Sequence, residues 1–257
     1  MLLTDELIDN LLTFRVAKLR ALVESGTQAG FTFEGKTMGS GYACWAGDGS
    51  PMTQVYGVGH RDSEFDLDEI DAFYEGRATN WELVATPFTS KSLLTEAVKR
   101  GYLPDHFETV LAQLASSTSV ELQPGVEIER VSGDMTEWMR VNDAGWMEQD
   151  ELPDEVSDLS RLMAATPAYR YLARVNGEPA AAAGLASLDG KFLFAGACTL
   201  PKFRGRGIQR AFTQRRLNDA GPGSFVQVVA TPGTVSHRNL QKVGFEPLYS
   251  KLVMMRR

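Results

Sequence analysis

Cysteine and histidine are both scarce in this 257-residue chain, with two of the first and three of the second. Cys44 and Cys198 lie far apart and form no CxxC pair, which excludes a disulfide scaffold and a cysteine-rich zinc site. His60, His106 and His237 stand singly, without an HExxH or a His-carboxylate cluster at ligand spacing, so no metal is expected. Long apolar runs are missing too. A stretch such as Ala180 to Ala186 falls far short of the ~20 residues that a membrane-spanning helix needs. Basic charge is in deficit, with 26 Lys plus Arg against 33 Asp plus Glu and a net charge of -7. A duplex-binding protein needs a basic face to displace counterions, so nucleic acid is not an expected partner. The opening Met1-Leu2-Leu3-Thr4-Asp5-Glu6 has neither a basic start nor an apolar core. No signal peptide is therefore expected, and the expected location is cytoplasmic.

What remains is an ordinary globular composition, 43% hydrophobic and 23% charged. The length allows one large domain or two small ones. An internal echo favours two. Val84-Ala85-Thr86-Pro87 recurs as Val229-Ala230-Thr231-Pro232, each closing an apolar strand-like run, Trp81 to Ala85 and Phe225 to Ala230. Each is followed by a short helical stretch and a Gly-aromatic pair, Gly101-Tyr102 and Gly244-Phe245. The glycine reads as a left-handed helix C-cap and the aromatic as the start of the next strand. Upstream, Asp48-Gly49 and Asp189-Gly190 each read as the turn of a hairpin. Both halves thus order as hairpin, helix, strand, helix, strand. The polar run Ala115 to Ser119 and Pro124-Gly125 mark a boundary, giving domains 1–120 and 121–257.

The first half opens with a helix, roughly Asp5 to Ser25, whose apolar residues Ile8, Leu11, Leu12, Val16, Leu19, Leu22 and Val23 make a core-facing stripe. In the second half Val126 to Val131 alternates as a half-buried strand. Thr136 to Met147 and Val156 to Ala165 read as helices, with Asp134 or Thr136 capping one and Ser157 or Asp158 the other. Strands follow at Tyr169 to Val175, Ala180 to Leu188 and Phe192 to Leu200, with Asn176-Gly177 as a turn. A helix from Arg204 to Ala220, the strand Phe225 to Ala230, a helix near Ser236 to Val243 and a strand Glu246 to Met255 complete the chain. Antiparallel strands leading into a strand-helix-strand crossover make the class α+β, with mixed antiparallel and parallel sheets.

The chemistry concentrates at a strand-to-helix junction, Thr199-Leu200-Pro201-Lys202-Phe203-Arg204-Gly205-Arg206-Gly207-Ile208-Gln209-Arg210. Glycine lets backbone approach a ligand closely, and a helix N-terminus offers unpaired N–H groups and partial positive charge. Amid four basic side chains this pattern reads as a pyrophosphate cradle. A dinucleotide fingerprint fits less well, because Arg210 stands where GxGxxG requires its third glycine.

This loop, followed some 35 residues later by Lys242-Val243-Gly244-Phe245, resembles the GNAT superfamily of acyl-CoA-dependent N-acetyltransferases. Arg204, Gly207 and Gln209 fill the Gln/Arg-x-x-Gly-x-Gly/Ala hallmark. The resemblance covers Val126 to Arg257, and the first half looks like a degenerate copy, so the implied fold is two GNAT-like domains in tandem. It implies that the backbone of Ala197, Cys198 and Thr199 holds the pantetheine arm of acetyl-CoA. The N–H groups of Gly205, Arg206, Gly207, Ile208, Gln209 and Arg210 would hold the pyrophosphate, with Ser236 and Asn239 as further polar contacts.

Three departures bear on catalysis. The family's usual tyrosine acid, four residues before the Gly of Gly-Phe, is Leu240 here. Gln209 replaces a small residue, and the strand Lys191 to Leu200 carries no Glu for a general base. Catalytic residues therefore stay open. Glu148, in the acidic segment Trp146 to Glu151 where this family shapes its acceptor pocket, and Tyr249 are candidates. Each also has a plain structural reading, as an acidic surface loop and as a core aromatic. Cys198 reads as a small buried strand residue and Ser236 as a helix cap or a cofactor contact.

In the first half the counterpart of the loop runs from Tyr56 to Glu69 and keeps Gly57-Val58-Gly59, but Asp62, Glu64, Asp66, Asp68 and Glu69 follow. Those charges would repel a pyrophosphate, so this half is expected not to bind CoA but to wall the acceptor cleft. The expected partners are a CoA thioester and a small-molecule or peptide amine, with a monomer or homodimer as assembly. The expected function is N-acetyl transfer by direct attack, and the alternative is a catalytically decayed acyl-CoA-binding sensor.

Overall fold

The computed structural model describes residues 3–256. The first helix, α1 (Asp5–Gln28), starts where the Thr4 hydroxyl accepts from the Leu7 N–H at 3.2 Å. It buries Ile8, Leu11, Phe14, Leu19 and Val23, while Leu12, Val16 and Leu22 of the expected stripe are partly buried. Then come β1 (Glu34–Met38), β2 (Gly41–Trp45), β3 (Gln54–Tyr56), α2 (Leu67–Tyr74), β4 (Glu82–Ala85), α3 (Lys91–Lys99) and the long β5 (Tyr102–Leu114). The second half runs β6 (Val126–Val131), α4 (Thr136–Trp146), α5 (Asp158–Ala165), β7 (Ala168–Val175), β8 (Glu178–Leu188) and β9 (Lys191–Thr199). A 3-10 turn (Pro201–Phe203), α6 (Ile208–Ala220), β10 (Phe225–Ala230), α7 (Val235–Lys242) and β11 (Glu246–Arg256) follow.

Local chemistry sets most of these bounds. Asn176-Gly177 and Asp189-Gly190, with φ of 51° and 85° and of 50° and 71°, make the left-handed pairs of two-residue turns between β7, β8 and β9. Asp48-Gly49 does not. It lies in a longer loop between β2 and β3, where the Asp48 carboxylate accepts from the N–H and hydroxyl of Thr79, both at 2.8 Å. Asp134 accepts from the Thr136 N–H at 2.9 Å ahead of α4, and Ser157 accepts from the Ser160 N–H at 3.1 Å to cap α5. The helix expected from Arg204 begins only at Ile208, since the residues before it form the 3-10 turn and a glycine loop.

The chain forms two compact units, and they do not divide at 120/121. The first holds the chain to Leu111 together with Val229–His237 and the segment from Pro247 on; the second holds Ala112–Val228 and Arg238–Glu246. In the first unit β1, β2 and β3 are antiparallel, β3 is parallel to β4, and β11 lies antiparallel to β4 with Leu252 opposite Ala85. The strand that closes the sequence thus completes the sheet of the first unit. Its core stacks Tyr74 on Trp81 at 5.0 Å around Ile70, Leu83 and Leu93. Beside this core Lys251, almost fully buried on β11, pairs with Glu108 of β5 at 2.6 Å.

In the second unit β6, β7, β8 and β9 are antiparallel and β10 is parallel to β9. The tail of β5 belongs here as well: the Ala115 N–H donates to the Ser224 carbonyl and the Gly223 N–H to the Ala115 carbonyl, each at 2.8 Å. Trp138, Tyr171, Leu172 and Phe212 are fully buried, each large side chain contributing roughly 1.5–3 kcal/mol of apolar burial.

Candidate functional site: an open strand edge above an uncapped helix

The site begins in β9. One edge of this strand pairs with β8 from Lys191 to Thr199, but the other meets β10 at only two positions, Phe192 opposite Val226 and Leu193 opposite Gln227. Beyond Leu193 the parallel ladder ends while β9 continues for six residues. Among the described residues its backbone groups on that edge have no sheet partner, which is the condition for receiving an extended ligand as a strand. Ala195, Gly196 and Ala197 stay half-exposed in mid-sheet, as such an edge requires.

A β-bulge turns the strand at the same place. The register with β8 shifts between Ala183 and Gly184, opposite Ala197 and Ala195, so Gly196 is the extra residue. Its φ of 57° is left-handed, and a Cβ there would come within 2.9 Å of the Met163 methyl. The glycine within the Ala195-Gly196-Ala197 run is the sequence signal for this bulge, and the motif-led reading passes over it.

At the end of β9 the chain makes the 3-10 turn and enters α6 through Gly205 (φ 79°) and Gly207 (φ 72°). Gly207 is the N-cap and, lacking a side chain, leaves the helix start without a side-chain hydrogen bond. Nothing lies within 4 Å of the Cβ position of Gly205, and only the Gln123 Cγ, at 3.9 Å, near that of Gly207. The N–H groups of Ile208, Gln209 and Arg210 thus open α6 with its partial positive charge, while Arg210 pairs with Glu121 at 3.3 Å. Gln209 ties the first turn of α6 to the end of β9, its Nε2 donating to the Thr199 hydroxyl at 2.8 Å.

The acidic segment after α4 is tied to the same loop. Glu148, held in a left-handed conformation (φ 57°), pairs with Arg204 at 3.2 Å, while Arg204 Nε donates to the Thr199 carbonyl at 3.3 Å. Asp150 accepts from the Lys202 N–H at 2.7 Å. With its side chain 74% exposed, Glu148 stands in solvent beside Arg204 and not in an enclosed pocket. Asp143, buried on α4, accepts from the Ser157 N–H and from the hydroxyls of Ser157 and Ser160, so it joins α4 to α5.

Cys198 is buried as a small residue should be. A Cβ on Gly145 of α4 would lie 2.5 Å from its sulfur, and burial pushes the thiol up to about 12. Leu240 is buried in α7, while Ser236 and Asn239 are exposed on the same helix. The cap of α7 is Thr234, whose hydroxyl accepts from the His237 N–H at 3.2 Å, so Ser236 does not cap it. Tyr249 belongs to the first unit, half-buried beside Phe88 and 3.5 Å from the Tyr56 hydroxyl. Burial and that second phenol push its pKa up, so it holds its proton more tightly.

The corresponding junction in the first unit is filled. A Cβ on Gly57 would lie 2.6 Å from Leu12 Cδ1, and one on Gly59 2.8 Å from Leu93 Cδ1. Past β3 the chain stays joined to the segment after β4: the Ser90 N–H donates to the Gly59 carbonyl and the Arg61 N–H to the Phe88 carbonyl, each at 2.8 Å. The start of α2 is occupied by its own carboxylate, Asp66, which accepts from Asp68 and Glu69 N–H at 2.8 and 3.2 Å. Among the described residues no His, Cys, Asp and Glu group is placed to hold a metal ion. No helix there is long and apolar enough to cross a membrane.

No protein-family model and no curated protein matches the sequence. Solved structures do match the fold. A GCN5-related N-acetyltransferase from Kribbella flavida superposes over 93% of this chain and 95% of its own, with a TM-score of 0.63 and 18% identity. The chain has the GNAT fold. A tandem GNAT protein from the clavulanic acid biosynthesis pathway covers 91% of this chain and 86% of its own, at a TM-score of 0.61 and 10% identity. A functionally unknown conserved protein from Staphylococcus epidermidis covers 80% of this chain and 86% of its own, at 0.57 and 14%. These likenesses span both units, at identities that carry the fold and no particular substrate.

Proposed function

We propose that the second unit binds acetyl-CoA and transfers its acetyl group to an amine in a ternary complex. The observation carrying this reading is the coincidence of two unpaired sets of backbone groups in one chain segment. The ladder of β9 opens after Leu193, and the helix that follows starts on a glycine without a side-chain cap. The backbone of Ala197, Cys198 and Thr199 then bonds the pantetheine amides, and the N–H groups from Gly205 to Arg210 hold the pyrophosphate. Arg204 and Arg206 add charge, and Gln209 fixes the spacing between the two. Asn239, exposed on α7 in the second unit, supplies a peripheral polar contact.

In the reaction the amine lone pair attacks the thioester carbonyl carbon, and the π electrons move to oxygen. The intermediate collapses, the C–S bond breaks with its electrons on sulfur, and the nitrogen proton leaves as the thiolate is protonated. Backbone N–H groups on the open edge of β9 polarise the carbonyl, and alignment of the two substrates supplies the larger part of the acceleration, ~7–11 kcal/mol. Water is the proton carrier, since Glu148 is committed to Arg204 and Leu240 stands where the family's acid would be. Release of free thiol from acetyl-CoA with a panel of primary amines tests this. Amine-dependent release supports transfer; tight binding with no release from any amine favours the second reading, an acyl-CoA sensor, to which Leu240 lends weight.

A further inference from the structure

Two arginines are buried in the second unit, and they differ in how their donors are used. Arg216 of α6 donates from Nε to the Phe212 carbonyl and from Nη1 to the Gly184 carbonyl, both at 3.2 Å, and its guanidinium lies 3.8 Å from the Phe194 ring centroid. Arg170 of β7, only 3% exposed, uses one nitrogen. Its Nη2 donates to the Met163 carbonyl, to the Thr166 carbonyl at 3.1 Å and to the Thr166 hydroxyl at 2.9 Å, closing the end of α5. Its guanidinium carbon lies 5.2 Å from the Trp138 ring centroid, yet Nε and Nη1 are buried with no hydrogen-bond partner among the described residues, and no carboxylate pairs with it there. Burial holds the guanidinium down at about 10, so it remains a cation at neutral pH. A helix C-cap needs no second, unmet set of donors. A buried charge persists where something of opposite sign meets it.

Its Nη1 lies over Gly184, one strand in from β9. Arg170 stands opposite Gly184 on β8, and Gly184 opposite Ala195 on β9. A Cβ on Gly184 would lie 3.4 Å from Arg170 Nη1 and 2.5 Å from the Ala195 carbonyl oxygen, so the guanidinium passes over Gly184 toward the bulge. One strand spacing of about 5 Å separates that point from β9. Met163 covers the gap, half-buried, with its methyl over Gly196 and its sulfur 3.8 Å from Asn142 Nδ2. An unbranched thioether swings at little cost, which gives a route from the bulge to the arginine.

We propose that Arg170 is an anion receptor beside the acyl-transfer site, taking on its unmet donors a carboxylate carried by one of the two substrates. The proposal rests on the acyl-transfer reading above and names its specificity. The carboxylate belongs either to the acyl group, as in a dicarboxylic acyl-CoA, or to the amine, as in an amino acid.

Calorimetric titration of the whole protein with matched probes separates the two. Succinyl-CoA against butyryl-CoA reads the donor; N-acetylglycine against N-ethylacetamide, with and without CoA, reads the acceptor. The wild type is expected to prefer the carboxylate member of one pair by about tenfold or more, the value of a charge-assisted contact. Arg170→Gln should erase that preference while leaving the uncharged mate unchanged, and Arg170→Lys should keep part of it. Equal affinities within both pairs in the wild type overturn the proposal whether or not any variant folds. So does a preference that survives in Arg170→Gln. If neither acyl-CoA binds at all, the CoA reading has failed separately, and the CoA-free acceptor pair still decides the role of Arg170.

Discussion

At the scale of single residues, side chains that the sequence marks for chemistry turn out to hold backbone in place. Glu148 is a carboxylate in a segment where an acceptor pocket is expected, and the structure spends it on Arg204. Glu148→Gln should therefore raise the KM for acetyl-CoA no more than ~5-fold, the worth of an exposed pair, with kcat retained; a kcat collapse in steady-state kinetics would make it a base instead. Cys44 and Cys198 are both buried with thiols pushed up to about 12. A raised pKa keeps a thiol protonated, so at pH 8 the thiolate is on the order of one part in ten thousand. Neither cysteine should be alkylated by iodoacetamide at pH 8 until the protein is unfolded, as mass spectrometry would read. Cys198 was legible as a buried strand residue because small size and apolar neighbours decide that locally. The link from Gln209 to Thr199 was not, since a hydrogen bond ten residues apart depends on how the intervening loop turns.

At the scale of elements, periodicity and turn chemistry located most helices and strands of the second half within a few residues, because Asn-Gly and Asp-Gly fix their turns locally. The first half was harder to read: β1 is exposed along most of its length, and the loop around Asp48 is pinned by the distant Thr79. The open glycine junction was legible from its glycines. What distinguishes its two copies is steric, and only packing reveals it: Gly59 abuts Leu93, whereas space surrounds Gly205. The bulge makes a separate prediction. Gly196→Val imposes a β-branched side chain on a left-handed φ and on the Met163 methyl, so it should cost at least ~1–2 kcal/mol by denaturant titration and weaken acetyl-CoA binding. An unchanged midpoint would mean that the bulge is not needed.

At the scale of the molecule, the repeat in the sequence is real in the order of elements, yet the compact units do not follow it. A repeat reads as two contiguous domains, but Leu252 to Met255 pair with β4, and Ala115 pairs with Ser224. Strand partners far apart in sequence leave no local signature, which is why a boundary near residue 120 looked sufficient. Fragments 1–120 and 121–257 should consequently fail to fold cooperatively when expressed singly, the first lacking its Lys251–Glu108 pair and β11, and should recover a single melting transition when coexpressed. Two independent sharp melts would contradict this. The central claim is that the junction of β9 and α6 is a pyrophosphate cradle, and titration of acetyl-CoA into the wild type and Gly207→Glu tests it most directly. The account predicts one site per chain in the wild type and none in the variant, whose left-handed φ of 72° costs only ~1–2 kcal/mol of stability. A wild type that does not bind, or a folded Gly207→Glu that binds as the wild type does, would contradict it.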